Sequence, residues 1–262
     1  MKKKYLYLLI FPVFLCSFFI FMGFSCNSTK KSDVKPFDTL VLKWKTENIF
    51  KTPESVFFDT VRNCIYVSNI NGKPTDIDSN GFISKLSENG EIITLEWIIG
   101  LNAPKGMDVF GDMLYVSDIN YLVEIDLNTQ KVVNKYFAEN SEFLNDVVAD
   151  NLGNVYVSDI STNKIYKLEN DTLKIWIDSE KLNHPNGLFF TDKSLFAGTG
   201  NTILKINPVT KDFSVFRNNT GSIDGLEMTD NDNFIISDWL GNINIVYSND
   251  SLNLMLSTEK QG

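Results

Sequence analysis

The chain has 262 residues, 43% of them hydrophobic and 22% charged, with 20 Phe, 15 Gly and 7 Pro; this is enough apolar material for one large core or two modest ones and excludes wholesale disorder. Its formal net charge is −9, and an acidic chain offers no electrostatic footprint for nucleic acid. Three Cys and one His exclude a disulfide scaffold, a Cys/His zinc cluster and a His-pair site.

Lys2, Lys3 and Lys4 precede an apolar run from Tyr5 to Phe24, interrupted only by Pro12, Cys16, Ser17 and Gly23. A basic start followed by an apolar stretch reads as a secretory signal, and a run of about 20 residues is also long enough for an anchor helix. Gly23-Phe24-Ser25-Cys26, followed by the polar Asn27-Ser28-Thr29-Lys30-Lys31-Ser32-Asp33, resembles the lipobox of bacterial lipoproteins, with Phe24 where a smaller residue is more usual. That resemblance implies a signal peptide over 1–25, a lipid-bearing N-terminus at Cys26, a tether over 26–37 and a folded domain over 38–262. The domain is then exported and held at the cell envelope through its lipid, on the periplasmic face or the cell surface. Loss of the three lysines leaves it more acidic still. The remaining thiol, Cys64, lies in the strand-like Cys64-Ile65-Tyr66-Val67 and reads as a small buried hydrophobe rather than a nucleophile.

The body is a repeat. Five segments share one pattern: a polar residue, a short apolar strand, a turn, then a second strand ending in small polar residues. They are Glu54-Ser55-Val56-Phe57-Phe58 with Tyr66-Val67-Ser68-Asn69, Lys105-Gly106-Met107-Asp108-Val109 with Tyr115-Val116-Ser117-Asp118, and Asn145-Asp146-Val147-Val148-Ala149 with Tyr156-Val157-Ser158-Asp159. The fourth and fifth are Asn186-Gly187-Leu188-Phe189-Phe190 with Phe196-Ala197-Gly198-Thr199, and Asp224-Gly225-Leu226-Glu227-Met228 with Ile236-Ser237-Asp238-Trp239. Two further strand candidates follow each pair, such as Lys164–Leu168 and Leu173–Ile177. Four short strands per roughly 40 residues is the arrangement of a β-propeller blade, and no long helical periodicity competes with it outside the N-terminal segment. Thr39-Leu40-Val41-Leu42-Lys43 adds one strand candidate before the first unit, the position of a closure strap. Five blades, or a larger ring short of strands, both remain open at this point.

In a propeller the first strand of every blade lines the central channel, so the leading residues Glu54, Lys105, Asn145, Asn186 and Asp224 converge on one axis. Two carboxylates about 5 Å apart repel by roughly 3 kcal/mol at an effective dielectric near 20. A shared proton, the Lys105 ammonium or a bound cation must offset that. Carboxylate and amide oxygens without His or Cys make a hard site, suited to calcium and, after it, magnesium or manganese.

Glu54, Asn145-Asp146, His184-Pro185-Asn186-Gly187-Leu188 and Asp224-Gly225 resemble the senescence marker protein/gluconolactonase/luciferin-regenerating enzyme family and, more distantly, diisopropyl fluorophosphatase and the paraoxonases. The resemblance spans residues 38–256. It implies a six-bladed propeller, of which this chain shows five full blades and an incomplete last one, with a divalent ion held by Glu54, Asn145, Asn186 and Asp224. It also implies that Asp224 is base or nucleophile in a lactone or ester hydrolase acting, as a monomer, on a small-molecule substrate. Lys105, Asp146 and His184 are then substrate-binding or counter-ion residues. Gluconolactonase-like members carry an arginine two residues before the asparagine of the third blade; this chain has Phe143 there. The rival reading is a non-catalytic, envelope-tethered binding module whose channel residues only stabilise the ring.

The other recurrent residues read as structural. Ser117-Asp118, Ser158-Asp159 and Ser237-Asp238 are expected to bond local backbone in turns. Tyr66, Tyr115, Tyr156 and the four Trp are expected to pack between blades.

Overall fold

The computed structural model describes residues 40–258 apart from 192, 230 and 231. The expected signal peptide over 1–25, the lipidation site Cys26 and the tether over 26–37 lie outside the described residues. Strands dominate, because alternating apolar and polar residues are punctuated by turn residues at short intervals. Gly90, for example, takes φ +82° in the turn of Asn89-Gly90, a conformation only glycine adopts without strain.

Twenty strands form five four-stranded antiparallel sheets. The first holds β1 (Pro53–Asp59), β2 (Cys64–Asn69), β3 (Gly81–Ser87) and β4 (Ile92–Leu101). The second holds β5 (Pro104–Phe110), β6 (Met113–Asp118), β7 (Tyr121–Asp126) and β8 (Lys131–Phe137). The third holds β9 (Leu144–Ala149), β10 (Val155–Asp159), β11 (Lys164–Glu169) and β12 (Thr172–Asp178). The fourth holds β13 (Leu188–Phe190), β14 (Leu195–Gly198), β15 (Thr202–Ile206) and β16 (Phe213–Asn218). The fifth holds β17 (Leu226–Met228), β18 (Phe234–Ser237), β19 (Asn242–Val246) and β20 (Leu252–Ser257). Among the described residues one 3-10 turn, Glu180–Leu182, interrupts them. No helix among the described residues is long and apolar enough to cross a membrane.

Within each sheet the strands run in sequence order, and β1, β5, β9, β13 and β17 lie successively beside one another. The first strands therefore surround a common axis with the fourth strands outermost, which is the geometry of a propeller. The six-bladed expectation is corrected: the described residues form five blades, and the last is complete. The strap is corrected too. Leu40–Lys43 forms no strand and is exposed, because β20 already fills the outer position of the fifth sheet.

The core is divided into seams. Phe57, Tyr66 and Ile83 meet Met107, Leu114 and Val116 between blades 1 and 2. Tyr115 and Leu122 meet Val147, Val155 and Tyr166 between blades 2 and 3. Val148, Tyr156 and Ile165 meet Leu188, Leu195 and Ala197 between blades 3 and 4. Phe189, Phe196 and Ile203 meet Leu226, Phe234 and Ile236 between blades 4 and 5. No hydrophobic cluster of the described residues joins blade 5 to blade 1. Val56 is 68% exposed and Phe58 46%, whereas the counterparts of Val56, namely Met107, Val147, Leu188 and Leu226, are at most 6% exposed.

The tyrosines pack between blades as expected, but Trp44 and Trp239 do not: Trp44 precedes β1, Trp239 lies beyond β18, and both are exposed. Leu226 pairs with Ile236 as Val56 pairs with Val67, so the counterpart of Tyr66 in blade 5 is Ile235. The aromatic residue that fills the other four seams is thus replaced at the fifth. Cys64 is buried and free.

Candidate functional site

In blades 1, 2 and 3 the leading residue stands at an irregularity near the start of the inner strand. Regular pairing breaks between Pro53 and Val56, between Pro104 and Met107, and opposite Val157–Asp159 in β9. In blades 1, 3 and 5 a serine hydroxyl of the second strand accepts from an inner-strand amide. The amide of Ser55 donates to Ser68 Oγ at 2.9 Å, that of Asp146 to Ser158 Oγ at 3.0 Å and that of Gly225 to Ser237 Oγ at 2.8 Å. Such a bulge re-aims the side chain beside it. The aspartates next to these serines bond nearby backbone, as the sequence suggested: Asp118 accepts from Ala103 N at 2.7 Å and Asp159 from Glu142 N at 2.8 Å.

Glycine after the leading residue lets adjacent inner strands close up. A Cβ at Gly106 would stand 2.3 Å from Asp146 Oδ1 and 2.8 Å from the Asn145 carbonyl, and one at Gly187 would stand 2.6 Å from the Asp224 carbonyl. At Gly225 the same atom would meet only Ser237 of its own blade, a second sign that the seam to blade 1 is wide.

Four of the five leading residues influence one another electrostatically or by hydrogen bond. Asn186 Nδ2 donates to Asp224 Oδ1 at 2.9 Å, while Asn186 Oδ1 is buried with no partner. The Glu54 carboxyl is pushed up to about 8, first by burial and then by the charge of Asp224, with Lys105 pulling the other way and Asp146 adding to the rise. Asp224 is raised by burial, partly offset by the Asn186 hydrogen bond. Lys105 is lowered to about 8 by burial, with Glu54 and then Asp118 opposing the shift. Its Nζ donates to the Ala103 carbonyl at 3.0 Å and lies 4.5 Å from the centre of the Phe143 ring. The Phe143 ring therefore carries an ammonium from the neighbouring blade. Asn145, the fifth, is buried and its Nδ2 has no partner.

The remaining candidates have structural bonds. Asp146 Oδ2 accepts from Leu188 N at 2.7 Å, reaching from β9 to β13, and its Oδ1 accepts from Val147 N at 2.9 Å. Burial raises its carboxyl to about 7 despite those two hydrogen bonds, with the charges of Asp108 and Asp224 adding to the rise. Asp108 repeats the brace one blade earlier, accepting from Ala149 N at 2.8 Å. The sequence places Asp108 inside an inner strand, from which it can face a neighbouring blade, but it does not give Asp108 or Asp146 its backbone partner there. His184 is exposed, with its backbone N–H on Asn163 Oδ1 at 2.7 Å and its Nδ1 3.0 Å from the Ile160 carbonyl, which makes it a cap between blades 3 and 4.

Among the described residues no three His, Cys, Asp or Glu side chains converge as a metal-ligating group. The donors available to a cation include two carboxylates and an amide oxygen, Glu54, Asp224 and Asn186 Oδ1, and Asn145, the fourth residue of the expected set, brings a further amide. An orphaned, buried amide oxygen beside two carboxyls that burial destabilises as anions fits a hard cation.

Comparison with known proteins places the fold. No family model matches the chain, and no curated protein sequence matches it. Among solved structures it is similar to virginiamycin B lyase from Staphylococcus aureus, at 14% identity and a TM-score of 0.58, covering 77% of this chain and 69% of that one. It is similar to a chain of a nidogen/laminin complex, at 20% identity and a TM-score of 0.64, covering 79% and 80%. It is also similar to the extracellular domain of a one-component system of B. thetaiotaomicron, at 14% identity and a TM-score of 0.55, covering 77% of this chain and 27% of that one. At these identities the likeness carries the fold alone. The chain is an all-β propeller.

Proposed function

We propose that the protein is an exported, lipid-anchored propeller hydrolase whose channel holds a divalent cation, most suitably calcium, and opens a small lactone or ester. The observation that supports this reading is the state of Asn186: one end of its amide holds Asp224 and the other, Oδ1, is buried without a partner. Glu54, Asp224 and Asn186 Oδ1 would hold the ion. When bound, the ion would polarise the substrate carbonyl and offset negative charge that develops there. Asp224 acts as general base on water, a role that its raised carboxyl suits because a more basic carboxylate removes the proton more readily. Asn186 orients Asp224, and Glu54 balances charge. Export and the lipid on Cys26 rest on the lipobox resemblance.

Lys105 favours a second reading, a non-catalytic binding module, because its ammonium opposes the rise of the Glu54 carboxyl and so supplies an internal counter-charge. Propellers similar to this one include a lyase and extracellular domains, so fold does not choose between the two. The test is calorimetric titration of the purified protein with calcium, alongside Glu54→Gln and Asp224→Asn, followed by a panel of lactones and esters. Stoichiometric binding lost in both variants, with hydrolysis lost in Asp224→Asn, supports the hydrolase. A folded protein that binds no divalent ion and turns over no substrate removes that reading and leaves the binding module.

A further inference from the structure

The geometry points to an anion subsite on the blade 2–blade 3 side of the channel, where Lys105 and Asn145 together take the carboxylate of a ring-opened hydroxy acid. It deepens the hydrolase reading above by assigning the side of the channel that reading leaves unused. The polar atoms around the axis separate by chemistry. Acceptors come from blades 1, 4 and 5: Glu54, Asn186 Oδ1 and Asp224. Donors come from blades 2 and 3: Lys105 Nζ and Asn145 Nδ2. The inner strands of those two blades approach so closely that a Cβ at Gly106 would overlap Asp146 and the Asn145 carbonyl, and Lys105 Nζ lies over the ring of Phe143, two residues before Asn145.

Neither donor is used up by the protein. Asn145 is 2% exposed and its Nδ2 has no hydrogen-bond partner. Lys105 is 1% exposed, and its ammonium gives one hydrogen bond, to the Ala103 carbonyl. It forms no ion pair among the described residues. Glu54 is the first acid acting on that ammonium, without an ion pair, and Asp118, the second, is occupied by the backbone amides of Asn102 and Ala103. The Phe143 ring against the ammonium excludes water from one side, which strengthens charge–charge attraction to whatever enters from the other. A metal ion has no use for N–H donors. A carboxylate presents two acceptor oxygens and a full negative charge, which matches an ammonium beside an amide N–H. Hydrolysis of an uncharged lactone or ester creates that carboxylate inside the channel, and the acidic side repels it.

The experiment uses ligand-observed NMR titration in chelator, so that no cation contributes, with 4-hydroxybutyrate and its neutral amide as matched probes. Wild-type protein should bind the carboxylate at least about tenfold more tightly than the amide, the scale of a charge-assisted hydrogen bond. Lys105→Met and Asn145→Leu should each erase that preference. Circular dichroism checks each variant, and because the two lie on different strands, one folded variant is sufficient. Equal binding of the two probes, no binding of the carboxylate, or a preference that survives a folded variant would overturn the subsite. Calcium titration of the same proteins, after the chelator is removed, separates this outcome from the other reading. Carboxylate preference without calcium binding removes the hydrolase and keeps the subsite, and calcium binding without the preference does the reverse.

Discussion

Asn186 holds Asp224 across the junction of two blades, with Nδ2 donating to Oδ1 at 2.9 Å. The bond fixes which carboxylate oxygen is occupied and leaves the Asn186 oxygen turned away from Asp224 without a partner. It also favours the charged form of Asp224 against burial, which raises the carboxyl.

Removing that bond should be visible in a pH profile. Asn186→Leu deletes a donor to the charged carboxylate, so the Asp224 carboxyl should move to still higher pH. The acid limb of hydrolysis against pH should shift alkaline with it, and Asp224→Asn should lose about 10²–10⁴ in rate. An unshifted limb in a folded Asn186→Leu enzyme would show that Asp224 is not the titrating base.

The channel acids make stability depend on pH in a defined direction. Glu54 is raised from 4.5 to about 8 and Asp146 from 3.8 to about 7, so the folded protein binds more protons than the unfolded chain between those values. Their contribution is fully present below the ordinary carboxyl range and is lost as pH rises toward about 8. Lys105, lowered from 10.5 to about 8, acts oppositely above that point, where stability recovers as pH rises. Thermal unfolding in chelator should therefore show a falling midpoint from pH 5 to about 8. Glu54→Gln should flatten the slope. A midpoint that rises across this interval in wild-type protein would contradict the buried carboxyls.

Gly106→Ala should be strongly destabilising, and Gly225→Ala much less so. The first places a Cβ 2.6 Å from Asp146 Cα, a backbone atom of the next blade, and the second meets only a serine hydroxyl of its own blade. Overpacking of the first kind costs about 1–3 kcal/mol or more. Urea unfolding of the two variants measures the difference, and equal losses would mean that the fifth seam is as tight as the second.

The same contrast applies to apolar residues. Leu188→Ala opens a cavity in a packed seam and should cost about 2–5 kcal/mol. Val56→Ala, at the counterpart position on the open face of blade 1, should stay within about 0.5 kcal/mol of wild type. A large loss at Val56 would show that this face is covered in solution.

The repeat, the all-β class and the leading residues Glu54, Lys105, Asn145, Asn186 and Asp224 were legible in the sequence because each blade restates the same local rules: period-two alternation, turn residues and a polar residue before an apolar strand. The structural roles of the aspartates that end the second strands were legible for the same reason, but Ser117 departs from the expected local bond, its hydroxyl donating to the Asn145 carbonyl of the next blade. The blade count was not. It depends on whether Leu40–Lys43 finds a strand edge, and that edge is already taken by β20, over 200 residues away along the chain. The open seam was visible only as Ile235 where four other blades carry an aromatic, a difference without meaning until Val56 and Phe58 are seen to be exposed. Within the channel, sequence supplied the donor and acceptor types. Tertiary structure decided which were spent: Asp146 on the Leu188 amide, one end of Asn186 on Asp224, and neither Asn145 Nδ2 nor Asn186 Oδ1 on anything. Hydrogen bonds between blades join residues some forty positions apart, so only the closed approach of the inner strands determines which polar atoms remain free for a ligand.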